Sequence, residues 1–407
     1  MERFAMDYDE KKFKFESAMP EGLMVDFNEA PFIVIWEVTQ ACDLACIHCR
    51  AEAQPHRNPM ELTKEEGFRL LEEVKKFGNP LFVITGGDPL KREDIFDFIE
   101  HGVKIGLRMA MTPSATPLLT RDNIFKAVEK GLSRMAISLD GVTSASHDRF
   151  RQVPGSYQLT MNAVNSAREA KLPIQINTTV TNYNKAEMEE ISRLVGSFDA
   201  VLWSVFFLVP CGRGEEKDDI TADEYEEVLN WLYEKSLVMP YNIKTTAATH
   251  YRRVILQRRK AERQRGLSQN YGPEAVDSGL SPPTEKITFQ GPGFAMFKDG
   301  MHRAPRGVND GNGFVFISHL GEIYPSGFLP ISAGNVRKQS IVDVYRNAPL
   351  FKDLRDENKL KGKCGACLEY KKVCGGSRAR AYAVHGDYLA EEPKCIYQPV
   401  AWRKRTS

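Results

Sequence analysis

From Pro31 onward, short apolar runs alternate with amphipathic stretches, the rhythm of βα units built around a parallel sheet. The first run, PFIVIWEVT, is almost continuously apolar, as a strand covered on both faces should be. Further strands are predicted at PLFVIT (80–85), LRMAMT (107–112), RMAISL (134–139), IQINTTV (174–180) and VLWSVFFLV (201–209). Between them, LTKEEGFRLLEEVKKFG reads as a helix. Thr63 and Glu66 are spaced as a capping box, Phe68, Leu71, Val74 and Phe77 make an apolar stripe, and Gly78 stops the run. RDNIFKAVEKG and SYQLTMNAVNSAREAKL read as helices too, and Thr221 with Glu224 opens another that runs to about Leu237. Six strands alternating with helices predict an α/β fold, a partial (βα)6 TIM-like barrel. Periodicity alone equally allows an open doubly wound sheet.

The pattern changes at both ends of this region. Residues 1–30 are polar and aromatic without a period and read as an N-terminal arm, and residues 31–243 form the expected barrel. Residues 244–312 connect it to the next module, first through the basic HYRRVILQRRKAERQR and then through LSQNYGPEAVDSGLSPPTEK, which reads as an irregular loop. Residues 313–407 predict a small α+β module. It opens with FVFISHLGEIYPSGFLP, a β-hairpin turned at Leu320-Gly321, and continues into a cysteine-rich segment from Cys364.

Composition narrows the classes. With 407 residues there is room for more than one domain, and a formal net charge of +1 gives no global pull toward nucleic acid or a membrane. The N-terminus carries charges throughout and has no apolar core, so neither a signal peptide nor a membrane anchor is expected. Seven of the eight cysteines fall in two clusters, which predicts metal ligation in a reducing cytoplasm rather than disulfides.

The first cluster is ACDLACIHCR (41–50), with Cys42, Cys46 and Cys49 in a CxxxCxxC spacing. Such a soft trio suits zinc, which would need a fourth ligand close by, or an iron–sulfur cluster. A 4Fe-4S cluster on three thiolates keeps one iron open to a small molecule. The second strand ends in Gly86-Gly87-Asp88, where glycines allow close backbone approach and a carboxylate can accept from an ammonium group. Ser138 and Asp140 share one face at the end of the fourth strand. The second cluster, Cys364, Cys367, Cys374 and Cys395, suits either a fully ligated 4Fe-4S cluster or zinc. Cys211 in VPCGRG reads as a buried thiol, with a substrate-side ligand or hydrogen donor as the alternative. The basic run of Arg252, Arg253, Arg258, Arg259, Lys260, Arg263 and Arg265 reads as a solvated helix face or as a reader of an acidic substrate. No aromatic interleaving accompanies it, so nucleic acid is not expected as a partner.

The CxxxCxxC spacing, with the GGD and SLDG strand ends behind it, resembles the radical SAM superfamily. That resemblance implies a 4Fe-4S cluster on Cys42, Cys46 and Cys49 whose open iron chelates S-adenosylmethionine (SAM). It further implies that Gly86, Gly87 and Asp88 hold the methionyl amine, that Ser138 and Asp140 reach the ribose, and that Arg149 or Arg151 clamps the carboxylate. Asn177, Thr179 and Pro210–Gly214 would line the adenosine pocket, and His48 stands where relatives place an aromatic whose backbone touches adenine, its own side chain reading as packing. GEIYPSGFLPISAGN and CGACLEYKKVCGGSRARAYAVHGDYLAEEPKC look like a shortened SPASM or twitch module, most like those of the alternative heme and heme d1 enzymes. This implies a second, auxiliary 4Fe-4S cluster on the four C-terminal cysteines. Ser326 stands where full modules often carry a cysteine, leaving no ligands for a third. The activity implied is oxidative modification of a carboxylate-bearing small molecule such as a tetrapyrrole side chain, with an electron donor such as ferredoxin or flavodoxin. The alternatives are a maturase acting on a ribosomal peptide or a partner enzyme, for which the arm is too short to form the usual peptide-binding domain, and a non-catalytic iron–sulfur or zinc protein.

Overall fold

A computed structural model describes residues 25–265 and 307–406. The expected arm up to residue 24, and the loop beginning LSQNYGPEAVDSG, lie outside the described residues. All the strands belong to one sheet: β1 (Ile33–Glu37), β2 (Leu81–Thr85), β3 (Arg108–Met111), β4 (Arg134–Ser138), β5 (Ile174–Val180), β6 (Leu202–Phe207), β7 (Asn242–Thr246), β8 (Phe314–Ile317), β9 (Glu322–Tyr324) and β10 (Gly334–Asn335). Their order is β10-β9-β8-β1-β2-β3-β4-β5-β6-β7, and β8 through β7 pair in parallel. The fold is α/β, and a partial barrel.

The six strands expected from apolar runs are all present, and the sheet differs from the expectation at its two edges. β7, with the sequence NIKTT, crosses the expected boundary at 243 and adds a seventh parallel strand. Only Ile243 is apolar there, so no apolar run announces it. The hairpin at Leu320-Gly321 forms, with Gly321 at a φ of +84°. Its first strand joins the barrel sheet rather than a sheet of its own: β8 pairs in parallel with β1, Ile33 opposite Phe314.

Helices cover the outer face: α1 (Lys64–Lys75), α2 (Ile95–Lys104), α3 (Arg121–Glu129), α4 (Ser144–Arg151), α5 (Ser156–Glu169), α6 (Met188–Ser197), α7 (Ala222–Val238) and α8 (Tyr251–Gln264). Both expected capping boxes are made, Thr63 with Glu66 on α1 and Thr221 with Glu224 on α7. Alternation along the strands then divides two environments. Val34, Trp36, Phe82, Ile84, Met109, Ile137, Ile176 and Trp203 have no exposure and pack under the helices, each worth roughly 1.5–3 kcal/mol of burial. Their neighbours Ile33, Ile35, Val83, Ala136, Ser138, Asn177, Thr179 and Phe206 face inward and line a cavity. Gly67 on α1 is required for this packing, since a Cβ there would sit 2.4 Å from Phe98 and 2.7 Å from Trp36.

Two arginines of the basic run on α8 are committed to α7. Arg253 pairs with Glu226, and Arg258 bonds Glu234 at 3.0 Å and Asn230 at 3.3 Å. These arginines therefore staple two helices, and the expectation that Arg253 and Arg258 read an acidic substrate is not met. The Arg263 side chain lies outside the described residues. The chain ends in five short helices: α9 (Ile341–Asn347), α10 (Pro349–Arg355), α11 (Gly362–Ala366), α12 (Arg378–His385) and α13 (Val400–Thr406).

Candidate functional site

The cysteine loop leaves the carboxyl end of β1 and curls over the mouth of a cavity of about 550 Å3, which Cys42, Cys46 and Cys49 all line. Backbone bonds hold its shape. Cys42 N donates to Gln54 O at 2.8 Å, Ala45 N to Arg151 O at 3.3 Å, and Ile47 N to Phe150 O at 3.2 Å. The Pro210–Gly214 loop braces it from behind: Arg213 donates from its backbone N to Cys49 O and from Nε to Cys46 O, both at 3.0 Å. Gly212 is needed there, because a Cβ would lie 2.4 Å from Cys49 O. This loop was expected to line the adenosine pocket. It supports the cysteines instead, while Leu208 and Val209 just before it reach the cavity.

Gly86 and Gly87 line the cavity next to the thiols. A Cβ on Gly87 would meet Gln40 O and Ala41 O at 2.5 Å, so these residues let the β2 end pass under the cysteine loop. Asp88 corrects the expectation. It is fully buried, accepts from Thr116 Oγ1 at 2.6 Å and Leu90 N at 3.2 Å, and is not among the residues lining the cavity. Burial raises its pKa, and these donors partly offset the rise. Ser114 bridges strand end and thiol, donating to Gly87 O at 2.7 Å and lying 3.4 Å from Cys42 Sγ. Burial pushes the Cys42 thiol up to about 11, a penalty that metal ligation would remove by holding the thiolate.

The two candidate arginines separate cleanly. Arg149 is exposed, its guanidinium 5.6 Å from the Tyr183 ring centroid, and does not line the cavity. Arg151 lines it, with NH1 3.5 Å from Cys46 Sγ and NH2 paired with Asp140. Two residues apart on α4 means about 200° around the helix, so only one can face inward. Asp140 was expected at the ribose. It is 1% exposed and is used up by Arg151 and by Thr179 N at 2.7 Å, so it fixes the arginine rather than presenting a free carboxylate. Ser138, Asn177 and Thr179 do line the cavity, with Asn177 oriented by Gln175 Nε2 at 2.8 Å. His48 packs on Phe150 with ring centroids 4.5 Å apart, and burial drives its pKa well below the usual imidazole value. Cys211 is half-buried against the apolar cluster of Val209, Leu329, Leu354 and Ala379, with its thiol pushed up to about 11 by burial. Ser114 and Thr116 were missed, and Arg213 was expected at the adenosine pocket instead of behind the cysteines, for no local pattern marks a residue that acts on a distant loop.

The second group of cysteines also converges. Cys364, Cys367, Cys374 and Cys395 line one small cavity of about 30 Å3, together with His250, Arg253, Tyr370, Glu392 and Tyr397. Glu392 N donates to Cys364 Sγ at 3.3 Å, Arg378 approaches the same sulfur at 3.8 Å, and Thr249 Oγ1 lies 4.0 Å from Cys374 Sγ. A fully buried Arg380–Glu392 pair at 3.1 Å ties this site to the barrel, because Arg380 also donates to Leu208 O at 3.0 and 3.1 Å. Thr249 and Arg252 line the large cavity as well, and Arg252 donates to Val373 O at 3.0 Å and Val308 O at 2.7 Å. They are the wall between the two sites.

The profile of the radical SAM superfamily matches residues 36–195. The chain is 38% identical over 376 residues to the AdoMet-dependent heme synthase of Methanosarcina barkeri, which covers 92% of this chain and 99% of that protein. It is 39% identical over 369 residues to the AdoMet-dependent heme synthase of Nitratidesulfovibrio vulgaris, covering 90% of this chain and 92% of that one. Streptococcus suis SuiB bound to S-adenosylmethionine shares the fold, with a TM-score of 0.60 at 16% identity over 92% of this chain and 78% of that chain.

Proposed function

The chain belongs to the radical SAM superfamily and is a radical SAM enzyme, and from that premise we propose that it acts as an AdoMet-dependent heme synthase, oxidatively modifying a carboxylate side chain of a tetrapyrrole. The observation that carries this reading is the single cavity that begins at three thiols and continues along apolar walls of Phe206, Phe207, Phe314, Phe316 and Phe328. About 550 Å3 is the volume of a site for a sizeable organic ligand.

The donor set fits a 4Fe-4S cluster. Three thiolates at the first site and four at the second are the donor numbers for a cluster with one open iron and for a fully ligated one. When bound, the first cluster supplies one electron that cleaves the sulfonium bond of SAM and so yields a 5′-deoxyadenosyl radical able to take hydrogen from an unreactive carbon. The protein's own part is to orient and to exclude water. Arg151, held by Asp140 beside Cys46, is the fork for the SAM carboxylate. The backbone of Gly86 and Gly87 is open to its amine, and Ser138, Asn177 and Thr179 offer hydroxyl and amide partners to the nucleoside. The phenylalanine walls keep water from the reacting carbon.

Cys364, Cys367, Cys374 and Cys395, the ligands of the SPASM or twitch-type module, would hold an auxiliary 4Fe-4S cluster with no protein-free corner. An electron donor such as ferredoxin or flavodoxin, in the cytoplasm, completes the proposal. No helix among the described residues is long and apolar enough to cross a membrane. A peptide maturase, the second reading, has weaker support, from relatives at 25% and 24% identity such as a mycofactocin maturase and a PqqA peptide cyclase and from likeness of fold to SuiB bound to a precursor peptide.

The test is anaerobic turnover of the reduced, reconstituted protein with SAM and carboxylate-bearing iron tetrapyrroles, followed by mass spectrometry. The expected result is 5′-deoxyadenosine together with a tetrapyrrole of altered mass. Deoxyadenosine with every tetrapyrrole returned unchanged sinks the substrate assignment.

A further inference from the structure

His250 stands out among the buried polar residues. It has no exposure, and neither Nδ1 nor Nε2 has a hydrogen-bond partner among the described residues. A neutral imidazole always carries one N–H, and leaving a buried donor unmet costs roughly 1–3 kcal/mol. The ring lines the small cavity of the four C-terminal cysteines and is fixed there by stacking on Tyr225, at 5.8 Å between centroids and 19° between planes.

The charged groups around it are already committed. Glu392 accepts from Arg380, Ser377 N and Lys394 N; Glu226 pairs with Arg253; Arg380 is shared between Glu392 and Leu208 O. Besides the Tyr370 and Tyr397 hydroxyls, what the cavity offers an imidazole N–H is sulfur. Two sulfurs already have donors in reach, Cys364 from Glu392 N and Arg378, and Cys374 from Thr249 Oγ1. His250 follows Thr249 directly and adds one more donor to the same side.

We propose that His250 is a positioning residue that donates its ring N–H to a sulfur of the cluster held by Cys364, Cys367, Cys374 and Cys395, and so raises the reduction potential of that cluster. The physical cause is that a hydrogen bond to sulfur stabilises the more negative, reduced form. Its neighbours Thr249, Tyr251 and Arg252 line the substrate cavity, whereas His250 lines the cavity of the four cysteines. The inference rests on the reading of these cysteines as a cluster site, and the experiment separates the two.

The full-length chain carrying Cys42→Ala, Cys46→Ala and Cys49→Ala holds only the second site. Without about four irons per chain in that variant, the cluster reading fails and this inference with it. With them, an EPR-monitored redox titration compares His250 with His250→Phe, which keeps an aromatic ring and removes the donor. The expected result is a reduction equilibrium about tenfold less favourable, about 59 mV more negative, with partial recovery in His250→Gln. An unchanged potential overturns the proposal. Should His250→Phe fail to assemble the cluster, 15N-labelled histidine in the parent variant decides. A weak nitrogen coupling to the reduced cluster supports a hydrogen bond, whereas no coupling, or the strong coupling of a direct iron ligand, overturns it.

Discussion

The two cysteine groups offer the same donor atoms in opposite settings. Cys42, Cys46 and Cys49 stand at the mouth of a large cavity on a loop that other segments must brace. Cys364, Cys367, Cys374 and Cys395 close on a space of about 30 Å3, with a buried ion pair and several donors packed against it. Three ligands beside open volume suit a centre that binds a molecule, and four ligands without volume suit one that exchanges only electrons or holds the fold. The difference lies in the surroundings more than in the sulfurs.

The strongest way to break this comparison is to remove one site and watch the other. Cys42→Ala should abolish SAM cleavage, read as 5′-deoxyadenosine, while iron falls from about eight to about four atoms per chain. Iron falling to zero would mean that the sites are not independent. Next in size is Arg380→Met. Breaking a fully buried pair leaves Glu392 charged and alone, which costs about 3–5 kcal/mol. Thermal unfolding should show a destabilised chain that has lost its C-terminal iron.

Much of this architecture was legible in the chain because apolar runs mark buried strands wherever they occur, and six of them did. β7 was not legible, since NIKTT offers one apolar residue, and neither was the partner of β8, since FVFI says that it pairs but not with what. The side chains at strand ends were harder still. Ser138 is the last residue of β4 and points where alternation predicts, whereas Asp140 lies beyond it, where the pleat no longer governs direction. The thiols and glycines were found because their chemistry is written in spacing. Asp88 and Asp140 turned away because Thr116 and Arg151, distant in the chain, bind them first.

That reassignment supplies the third prediction, which sharpens what makes the first site open. Arg151→Met should weaken SAM binding by about 10–100-fold, the worth of a charge-assisted hydrogen bond of roughly 1.5–3 kcal/mol. Arg149→Met, at an exposed position away from the cavity, should change it less than about twofold. Equilibrium binding of SAM to the reconstituted protein reads both, and equal effects would undo the assignment of Arg151 as the clamp.

The smallest effect concerns the seam between the two halves of the molecule. Arg337, just past β10, bonds Glu66 of α1 through Nε and NH2, each at 2.8 Å. That pairing first, and the capping bond from Thr63 N second, hold the Glu66 carboxyl down to about 2. A folded pKa below the unfolded value of about 4.3 gives stability that is complete above pH 5 and lost as pH falls toward 2. Both side chains are partly exposed, so solvent reduces the worth to about 1 kcal/mol. In urea unfolding of the iron-free chain, Arg337→Met should therefore be less stable than the parent by about that amount at pH 7, with the gap closing as pH falls from about 5 toward 2. A gap that stays constant with pH would show that Arg337 stabilises the seam by packing and by its bonds to the Leu320, Met60 and Glu61 carbonyls, leaving the ion pair without a share.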